Sequence, residues 1–546
     1  MGYLVHIVLA LGAVALVESA GATGWRWPAA VLGSCGVPHL LLALAQRQYL
    51  RGRFRSASLV YRLLSWSPPI LQWAALGLFG WHLTVQDLVG GSGELLAWPG
   101  PALLFVLAPF LVFELLAIDA RARMGAESPA DVRRLRGFQS RMFLSGLAPL
   151  ALYVTIAWLV GSSEVARVEI EQVSLWGGLF ALVLLGGFIL LLPWVLRATW
   201  DTEPLPSGIE RSLLEEVARR SGFRCRELLL WRTGGQMANA AVVGVGARHR
   251  LVLFSDALLA QLSPRELCAV FAHEIGHVAR HHVPSFLAWA LAFFLGADLA
   301  AGWFEPEGEL LAALLLGGVL VIWYFGFGWL SRRVELDADL YSLEQLGDLE
   351  AMVGALEQVG SPHSRRLASW RHFSVADRVE FLRRAAADPA IGRRLRRRLR
   401  AFAATGAALA ALAVGLQGLD LARAYPEESL TADLRLGRYE KARERLERIE
   451  SPDPANPRLV ERALALAAEQ RDAGGFERAA LEALESGDAA AAVDLLALAA
   501  WRGREDLGPI ADALLQGPSE ETLESLSAAP RHWRQAVCRS WGIPPP

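Results

Sequence analysis

Long apolar blocks separated by arginine-rich polar segments dominate the pattern of the chain. A helix rises 1.5 Å per residue, so about 20 apolar residues are needed to cross a bilayer core of about 30 Å. Blocks of this kind lie at about 3–22, 28–46, 66–84, 99–119, 142–161, 174–196, 285–302, 309–330 and 399–418. The pattern predicts a mainly α protein built around a multi-pass transmembrane helical bundle.

The first apolar block is interpreted as a retained helix. A secretory signal peptide begins with a basic region, but Met1–His6 contains neither lysine nor arginine. No convincing cleavage site follows Ala22.

Arginines in the short loops predict the orientation of the bundle, because cytoplasmic loops carry an excess of Arg and Lys. They cluster between the second and third blocks and between the fourth and fifth, at Arg47, Arg51, Arg53, Arg55, Arg62, Arg121, Arg123, Arg133, Arg134 and Arg136. Alternation then places the amino terminus, 197–284 and 331–398 inside, and the tail after Leu421 outside. We expect a bacterial-type inner (plasma) membrane location.

Composition agrees with a membrane protein and limits the chemistry. The 546 residues are 53% hydrophobic and 20% charged, against about 25% charged residues in soluble domains. A net charge of -2 excludes a strongly basic nucleic-acid binder. The four cysteines form no CxxC pair, so any metal is expected to be held by histidine and carboxylate.

The segment Ser263–His282, SPRELCAVFAHEIGHVARHH, carries the most informative chemistry. Ser263 and Glu266 have the spacing of a capping box, which predicts the start of a helix. Pro284 marks the predicted end of that helix.

Two histidines and a glutamate on this predicted helix indicate a metal site. His273 and His277 lie at i and i+4, so both imidazoles can bind one tetrahedral Zn²⁺. Glu274 lies beside them and can take a proton from a water on the metal. The alternative is a solvated polar helix face.

A catalytic zinc takes a third protein ligand and keeps a fourth position for water. Glu335 and Asp339 in SRRVELDADLY share a helix face at i and i+4. We predict that Glu335 binds the metal and that Asp339 accepts a hydrogen bond from a ligating imidazole. Taken alone, the segment also fits a charged juxtamembrane helix.

Four motifs together resemble the M48 family of membrane zinc metallopeptidases, which includes HtpX and the CAAX prenyl protease Ste24. They are the pair Asn239 and Ala240, HEIGH at 273–277, SRRVELDAD at 331–339, and HFSVADR with His372 and Arg378. The resemblance covers about 200–385. It implies a small α+β gluzincin-type metalloprotease domain with one zinc ion per chain.

The resemblance also implies how a peptide binds. MANAAVVGVG and RLVLF read as a hairpin around 246–249, and the family places an extended substrate against an edge strand. Asn239 and Ala240 are then expected to present backbone groups to the peptide. His372 and Arg378 are expected to stabilise the oxyanion or to organise that wall of the cleft. Phe373 stands where the family usually has proline.

Further titratable groups lie within the apolar spans or next to the HEIGH motif. Glu114 and Asp298 interrupt apolar spans, and either lines a substrate path or is a neutral, hydrogen-bonded or interfacial carboxyl. His281 and His282 follow the HEIGH motif, and we expect them to support the metal ligands from outside or to lie at the membrane interface.

The tail is polar, Ala-rich and helical by pattern. Loose repeats begin at Gly437, Gly475 and Gly487 and include Tyr439, Ala442, Phe476, Ala479, Ala489 and Ala492, with a Pro-rich break at 451–457. They resemble tetratricopeptide (TPR) helix pairs, and an irregular helical bundle is the alternative.

The predicted organisation has six parts. They are an N-terminal six-helix transmembrane region (1–197), the first part of the catalytic domain (198–284), two spans (285–330), the second part of that domain (331–398), a last span (399–420) and the C-terminal helical tail (421–546).

The sequence favours an integral membrane zinc-dependent endopeptidase with Glu274 as general base, acting at the cytoplasmic face. We expect its partners to be the lipid bilayer, a peptide or membrane-protein substrate and a protein partner of the tail, with no nucleic acid. One rival is an M56-like sensor-transducer whose metalloprotease activity the tail regulates. The other is a non-catalytic membrane scaffold.

Overall fold

The computed structural model describes residues 2–20, 27–89, 101–124, 128–304, 309–359, 372–438, 441–442, 444–445, 473–501 and 504–544. The chain divides into two compact units. One contains Met1–Leu159 and Val183–Gln417, and the other contains Val160–Leu182 and Gly418–Pro546.

Helices make up most of the described residues in the first third of the chain. They are α1 Gly2–Ala20, α2 Pro28–Ser34, α3 Val37–Leu50, α4 Phe54–Gly77, α5 Trp81–Val89, α6 Pro101–Met124, α7 Pro129–Gly161, α8 Glu164–Gln172 and α9 Ser174–Thr199. The larger unit continues through α10 Ile209–Arg220, α11 Asp256–Gln261, α12 Pro264–Ala279, α13 His282–Phe304, α14 Glu309–Leu346, α15 Leu349–Val359, α16 Val375–Ala387 and the start of α17 Pro389–Arg435.

Within the described residues, six helical segments are long and apolar enough to cross a membrane. They are Pro28–Leu50, Ala102–Met124, Pro129–Gly161, Ser174–Thr199, His282–Ala300 and Pro389–Asp433. The multi-pass helical character predicted from the apolar blocks is therefore confirmed.

Three of the nine predicted spans are not among these six segments. The first block lies within α1, Gly2–Ala20, and its membrane crossing stays a prediction. The block at 66–84 is not one helix, because α4 ends at Gly77 and Gly80 adopts a left-handed φ of 59° before α5 begins. The block at 309–330 lies within α14, and its membrane crossing stays a prediction.

Glu114 lies inside the N-terminal bundle and is fully buried. Its carboxylate accepts from Arg121 at 2.7 Å and lies 2.8 Å from His6 Nδ1. An intramembrane carboxyl with such partners avoids most of the cost of burial, which fits the hydrogen-bonded alternative for Glu114. Asp298, by contrast, is exposed on α13.

A four-stranded sheet forms the β part of the larger unit. Its strands are β1 Thr202–Pro204, β2 Glu227–Trp231, β3 Ala240–Val243 and β4 Leu251–Ser255, in the order β1-β2-β4-β3. β2 pairs with β4 in parallel, whereas β1 and β3 pair antiparallel to their neighbours. The predicted hairpin is β3 with β4, and β3 is an edge strand.

Helix α12 begins where the sequence predicts. Ser263 accepts from the Glu266 amide, and the Glu266 carboxylate accepts from the Ser263 amide, which completes the capping box. The predicted end was wrong: α12 stops at Ala279, and Pro284 lies in the first turn of α13. Proline is tolerated in a first turn because the amide hydrogen it lacks has no partner there.

Buried aromatic side chains hold α12 against the sheet. Phe271 contacts Phe254 of β4 and Phe223 edge to face, with ring centroids 5.5 Å and 5.8 Å apart. Such pairs add stability beyond the area they bury. The sheet and α12 therefore form one rigid support for the histidines that follow Phe271.

The second unit contains α8 and the tail. The tail helices are the end of α17, α18 Ala473–Glu485, α19 Ala489–Trp501, α20 Gly508–Gln516, α21 Glu520–Ser525 and α22 Arg531–Ser540, with short 3₁₀ turns at Glu505–Leu507 and Leu526–Ala528. Buried apolar side chains of α18, α19 and α20 share a core with Trp533 of α22. The TPR-like repeat stays a prediction, and Tyr439 and 451–457 lie outside the described residues.

Polar contacts join the segment between the fifth and sixth predicted spans to the tail within this unit. Arg438 donates to Glu169 at 2.6 Å, and Ser174 donates to Glu428 at 2.5 Å. These contacts require both segments to lie on the same side of a bilayer, as loop alternation predicts. Because α17 is continuous from Pro389 to Arg435, the predicted boundary at 420/421 falls inside a helix.

Candidate metal centre

The crossing of α12 and α14 brings the three predicted metal ligands together. His273 Nε2 and His277 Nε2 lie 3.2 Å apart. Glu335 completes a triangle, with its two oxygens 3.7 Å from His273 Nε2 and 3.8 Å from His277 Nε2. Among the described residues, this is the group of histidine and carboxylate side chains that could hold a metal ion.

The triangle has the size that a zinc site needs. Bonds of about 2.0–2.1 Å in a tetrahedral site place neighbouring ligand atoms about 3.3 Å apart. The observed sides differ from that value by at most half an ångström, and the donor set of two imidazoles and one carboxylate is one that catalytic zinc uses. The residues therefore fit a Zn²⁺ ion with a fourth position left for water.

Gly276 makes the crossing close enough for this geometry. A Cβ atom at Gly276 would lie 3.0 Å from Tyr341 Cβ and 3.2 Å from Ala338 Cα, tighter than ordinary contacts. Ser342 of α14 also donates to the Ala269 carbonyl of α12 at 2.8 Å. The two helices thus touch through backbone and small side chains, and Glu335 reaches the histidines.

Asp339 contacts the imidazole of His273, one of the predicted metal ligands. Its Oδ1 lies 2.8 Å from His273 Nδ1, which leaves Nε2 of that ring for the metal. Burial works to lower the pKa of His273, and the hydrogen bond and charge of Asp339 outweigh it, so the net shift is upward.

Arg378 holds Asp339 in place through a two-pronged contact. Its Nε and Nη2 donate to the two carboxylate oxygens at 2.8 Å and 2.6 Å. Although burial opposes the charged form, Asp339 and Glu335 raise the pKa of Arg378 above its ordinary value. Of the two roles expected for Arg378, the contacts favour organising the cleft wall.

The charge states suit metal binding. Burial and the neighbouring His273 lower the pKa of His277 to about 3, so this imidazole is neutral and keeps a lone pair. Burial works to raise the pKa of Glu335, but the hydrogen bond with His372 and nearby positive charges hold it well below its usual range.

Glu274 lies beside the triangle and is not one of its corners. Burial raises the pKa of its carboxyl to about 7, with a smaller opposing effect from His273. A carboxyl with a pKa near neutrality can both accept and release a proton under physiological conditions.

The metal triangle opens into a cavity of about 680 Å³. All predicted site residues except Asp339 line it. Apolar side chains that were not predicted as site residues form another wall: Leu258, Val270, Met352, Ala355, Leu356, Val359 and Val375. They come from three separate helices and the start of a fourth, so no local sequence motif contains them. The helical spacing of the apolar residues in α15 was the one signal that could have indicated part of this wall.

The edge strand β3 borders the cavity, but the prediction that Asn239 presents its backbone groups to a peptide needs correction. Asn239 donates its amide to Ser255 Oγ at 2.9 Å and accepts from the Ser255 amide at 3.0 Å. Its backbone groups are therefore used inside the hairpin, and its side chain lines the cavity. Alternation in an antiparallel pair then directs the amide and carbonyl of Ala240 outward.

His372 stands at the mouth of the cavity. Its Nδ1 lies 3.5 Å from Glu335 Oε2, and its side chain is 48% exposed. The neighbouring Phe373, at the position where the family has proline, lies under the Arg332 guanidinium at 5.7 Å from its ring centroid. The departure at Phe373 thus leaves His372 at the cavity.

Comparisons with known proteins agree with this centre. Residues 209–397 match the sequence model of peptidase family M48. A CAAX prenyl protease 1 homolog from Oryza sativa subsp. japonica is 34% identical over 190 residues, which cover 31% of this chain and 44% of that protein. Protease HtpX from Pseudomonas entomophila (strain L48) is 29% identical over 195 residues, which cover 31% of this chain and 63% of that protein.

A solved structure, the Ste24p of S. mikatae, is similar at 14% sequence identity and a TM-score of 0.38. That alignment covers 67% of this chain and 97% of the Ste24p chain. This chain spans about half the length of the curated relatives that it matches.

Proposed function

We propose that this chain, in which residues 209–397 match the sequence model of peptidase family M48, is a zinc-dependent endopeptidase that cleaves membrane or membrane-proximal proteins. The observation that carries this proposal is the triangle of His273, His277 and Glu335, with Glu274 beside it. His273 and His277 would hold the zinc ion with Glu335. Zinc bound there supplies a Lewis acid, which acidifies a water and polarises a carbonyl.

The residues of the chain then have distinct roles. Glu274 accepts a proton from the attacking water and delivers it to the leaving amine, a task suited to its raised pKa. His372 faces the cavity from its mouth and can donate to the oxyanion that develops on the scissile carbonyl. Arg378 and Asp339 hold the orientation of His273.

The substrate is proposed to bind as an added strand. Ala240 offers its amide and carbonyl at the free edge of β3, so an extended peptide can pair there without its sequence being read. The wall formed by Val270, Met352 and Leu356 favours a large apolar side chain next to the scissile bond. Such side chains are abundant in membrane proteins.

The site is proposed to work at the cytoplasmic face of a bacterial-type inner membrane. Arginines crowd the start of α17, at Arg393, Arg394, Arg396, Arg397, Arg398 and Arg400. Arginine-rich ends of membrane helices are retained in the cytoplasm, and α17 follows α16 of the metal-site region directly.

The test is the variant Glu274→Gln, which removes the base and keeps the shape of the side chain. We expect it to retain zinc and to lose at least about a hundredfold in turnover, the lower end of what a general base contributes. Glu350→Gln, at an exposed position of α15, is the matched control and should cleave at the wild-type rate. Cleavage by Glu274→Gln at the wild-type rate would refute the mechanism.

A further inference from the structure

One histidine and one aspartate behind the metal triangle, His282 and Asp337, have no role in the proposed mechanism. His282 Nδ1 lies 3.1 Å from His277 Nδ1, and the two rings stand at 78° to each other. The other nitrogen of His282, Nε2, lies 3.2 Å from Asp337 Oδ2. Both His282 and Asp337 are buried. The contacts therefore run in one line from a carboxylate through an imidazole to a predicted metal ligand.

Chemistry fixes the direction of the hydrogen bonds in this line. A metal on Nε2 of His277 leaves the ring proton on Nδ1, so His277 must donate to His282 Nδ1. His282 Nδ1 then carries no proton, and the proton of that ring is on Nε2. The Asp337 carboxylate can only accept, and it takes this proton at its Oδ2. Each donor in the line therefore meets an acceptor.

The backbone is bent to make this arrangement. Among the described residues, His281 is the one non-glycine residue with a positive φ, at 56°. Such a conformation is unfavourable for a residue with a side chain. It lies between the end of α12 and the start of α13, and it turns the chain so that His282 lies against His277, one turn earlier.

Asp337 is held by the same helix that carries the third ligand. It lies two residues after Glu335 on α14, so its side chain leaves the helix on a different face. Arg280 Nε approaches Asp337 Oδ2 at 3.9 Å, while Arg280 Nη2 donates to Glu344 at 2.8 Å. The carboxylate thus faces a histidine and an arginine, both from the α12–α13 junction.

We propose that His282, anchored by Asp337, is a positioning residue that fixes the tautomer and ring orientation of the metal ligand His277. His273 receives the same support directly from Asp339. Carboxylate support of ligating imidazoles is general in zinc sites. In this chain the support of His277 is indirect, because the Asp337 carboxylate acts through the His282 imidazole. The inference rests on the metal-binding part of the proposed function and not on the cleavage reaction.

The experiment measures zinc affinity, with a chelator competing for zinc on purified, full-length, metal-free protein. His282→Leu keeps the volume and removes the acceptor, and we expect a zinc Kd 10–100-fold higher, about the usual effect of removing such a partner. His282→Asn places an acceptor oxygen near the former Nδ1, so we expect its Kd to stay close to the wild-type value. His281→Asn is the matched control, because asparagine tolerates a positive φ, and it should leave the Kd unchanged.

The comparison separates positioning from packing. Wild-type zinc affinity in His282→Leu, or equal losses in His282→Leu and His282→Asn, would overturn the proposal. Should His282→Leu fail to fold, Asp337→Asn preserves shape and removes the anchoring charge. We expect about a tenfold higher Kd for it, and an unchanged Kd would overturn the proposal. A wild-type protein that binds no zinc would instead contradict the proposed function itself.

Discussion

The close crossing of α12 and α14 at Gly276 gives a quantitative test of how the metal triangle is built. In Gly276→Ala the new Cβ would lie 3.0 Å from Tyr341 Cβ, 3.2 Å from Ala338 Cα and 3.3 Å from the Ala338 carbonyl oxygen. Two of these atoms belong to backbone and cannot swing away. The helices must therefore separate by a few tenths of an ångström.

The expected cost follows from two opposing effects. Overpacking a tight contact costs about 1–3 kcal/mol, whereas replacing glycine by alanine within a helix gains about 1 kcal/mol. The net effect on the free energy of unfolding is a loss of up to about 2 kcal/mol. In the metal-free variant the helices can separate and relieve this strain. Zinc binding must bring them together again, and if this costs about 1.4 kcal/mol, the zinc Kd rises about tenfold.

The assay compares zinc Kd and melting temperature for Gly276→Ala and Gly137→Ala. Gly137 also lies inside a helix, α7, but a Cβ there meets nothing within 4 Å. We expect Gly137→Ala to melt at or above the wild-type temperature with unchanged zinc affinity. We expect Gly276→Ala to have a lower melting temperature and a weaker zinc affinity than the wild type. Wild-type zinc affinity together with a raised melting temperature in Gly276→Ala would refute the reasoning.

Three further predictions concern pH, specificity and topology. Glu274 must be ionised to accept a proton, and burial raises its pKa to about 7 before the metal charge lowers it. We therefore expect kcat/KM to fall as pH drops through a value between the ordinary 4.5 and 7, and a flat profile from pH 8 to 4 would contradict this. Val270→Phe narrows the cavity at its apolar wall. It should slow cleavage next to leucine or phenylalanine more than cleavage next to alanine, and equal slowing of both would contradict the proposed role of this wall in binding a substrate side chain. Cysteines introduced at Val165 and Arg478, both in the second unit, should be labelled together or not at all by an impermeant thiol reagent on intact cells, and labelling of one alone would rule out a shared side.

Local signals made the placement of several site residues predictable from the sequence. The capping box fixes where α12 begins, and the i, i+4 spacing then puts His273 and His277 on one face without any knowledge of the tertiary fold. The hairpin of β3 and β4 was likewise readable from two apolar runs around a turn.

Features that depend on distant contacts were not predictable. The chain turns after Ala279 because His281 adopts a positive φ, which nothing in the local pattern requires. Asp337 lies inside the motif SRRVELDAD, yet its contact with His282 depends on how distant parts of the chain pack. The use of the Asn239 backbone by Ser255 depends on strand register, which one residue of slippage would reverse.

The interrupted span at 66–84 has a similar cause. Hydropathy averages over a window and does not detect the left-handed turn at Gly80 that separates α4 from α5. Pro68 and Pro69, which lie within α4 itself, were a more obvious candidate for a break. Helix α4 nevertheless continues through that point, and both prolines are buried.

The central claim is that His273, His277 and Glu335 bind one zinc ion. The most direct measurement is the zinc content of the purified, full-length protein, compared with His277→Ala and Glu335→Gln. We predict one zinc ion per chain in the wild type and strongly reduced zinc in both variants. A wild-type protein without bound zinc, or a Glu335→Gln protein with the full wild-type content, would contradict the account.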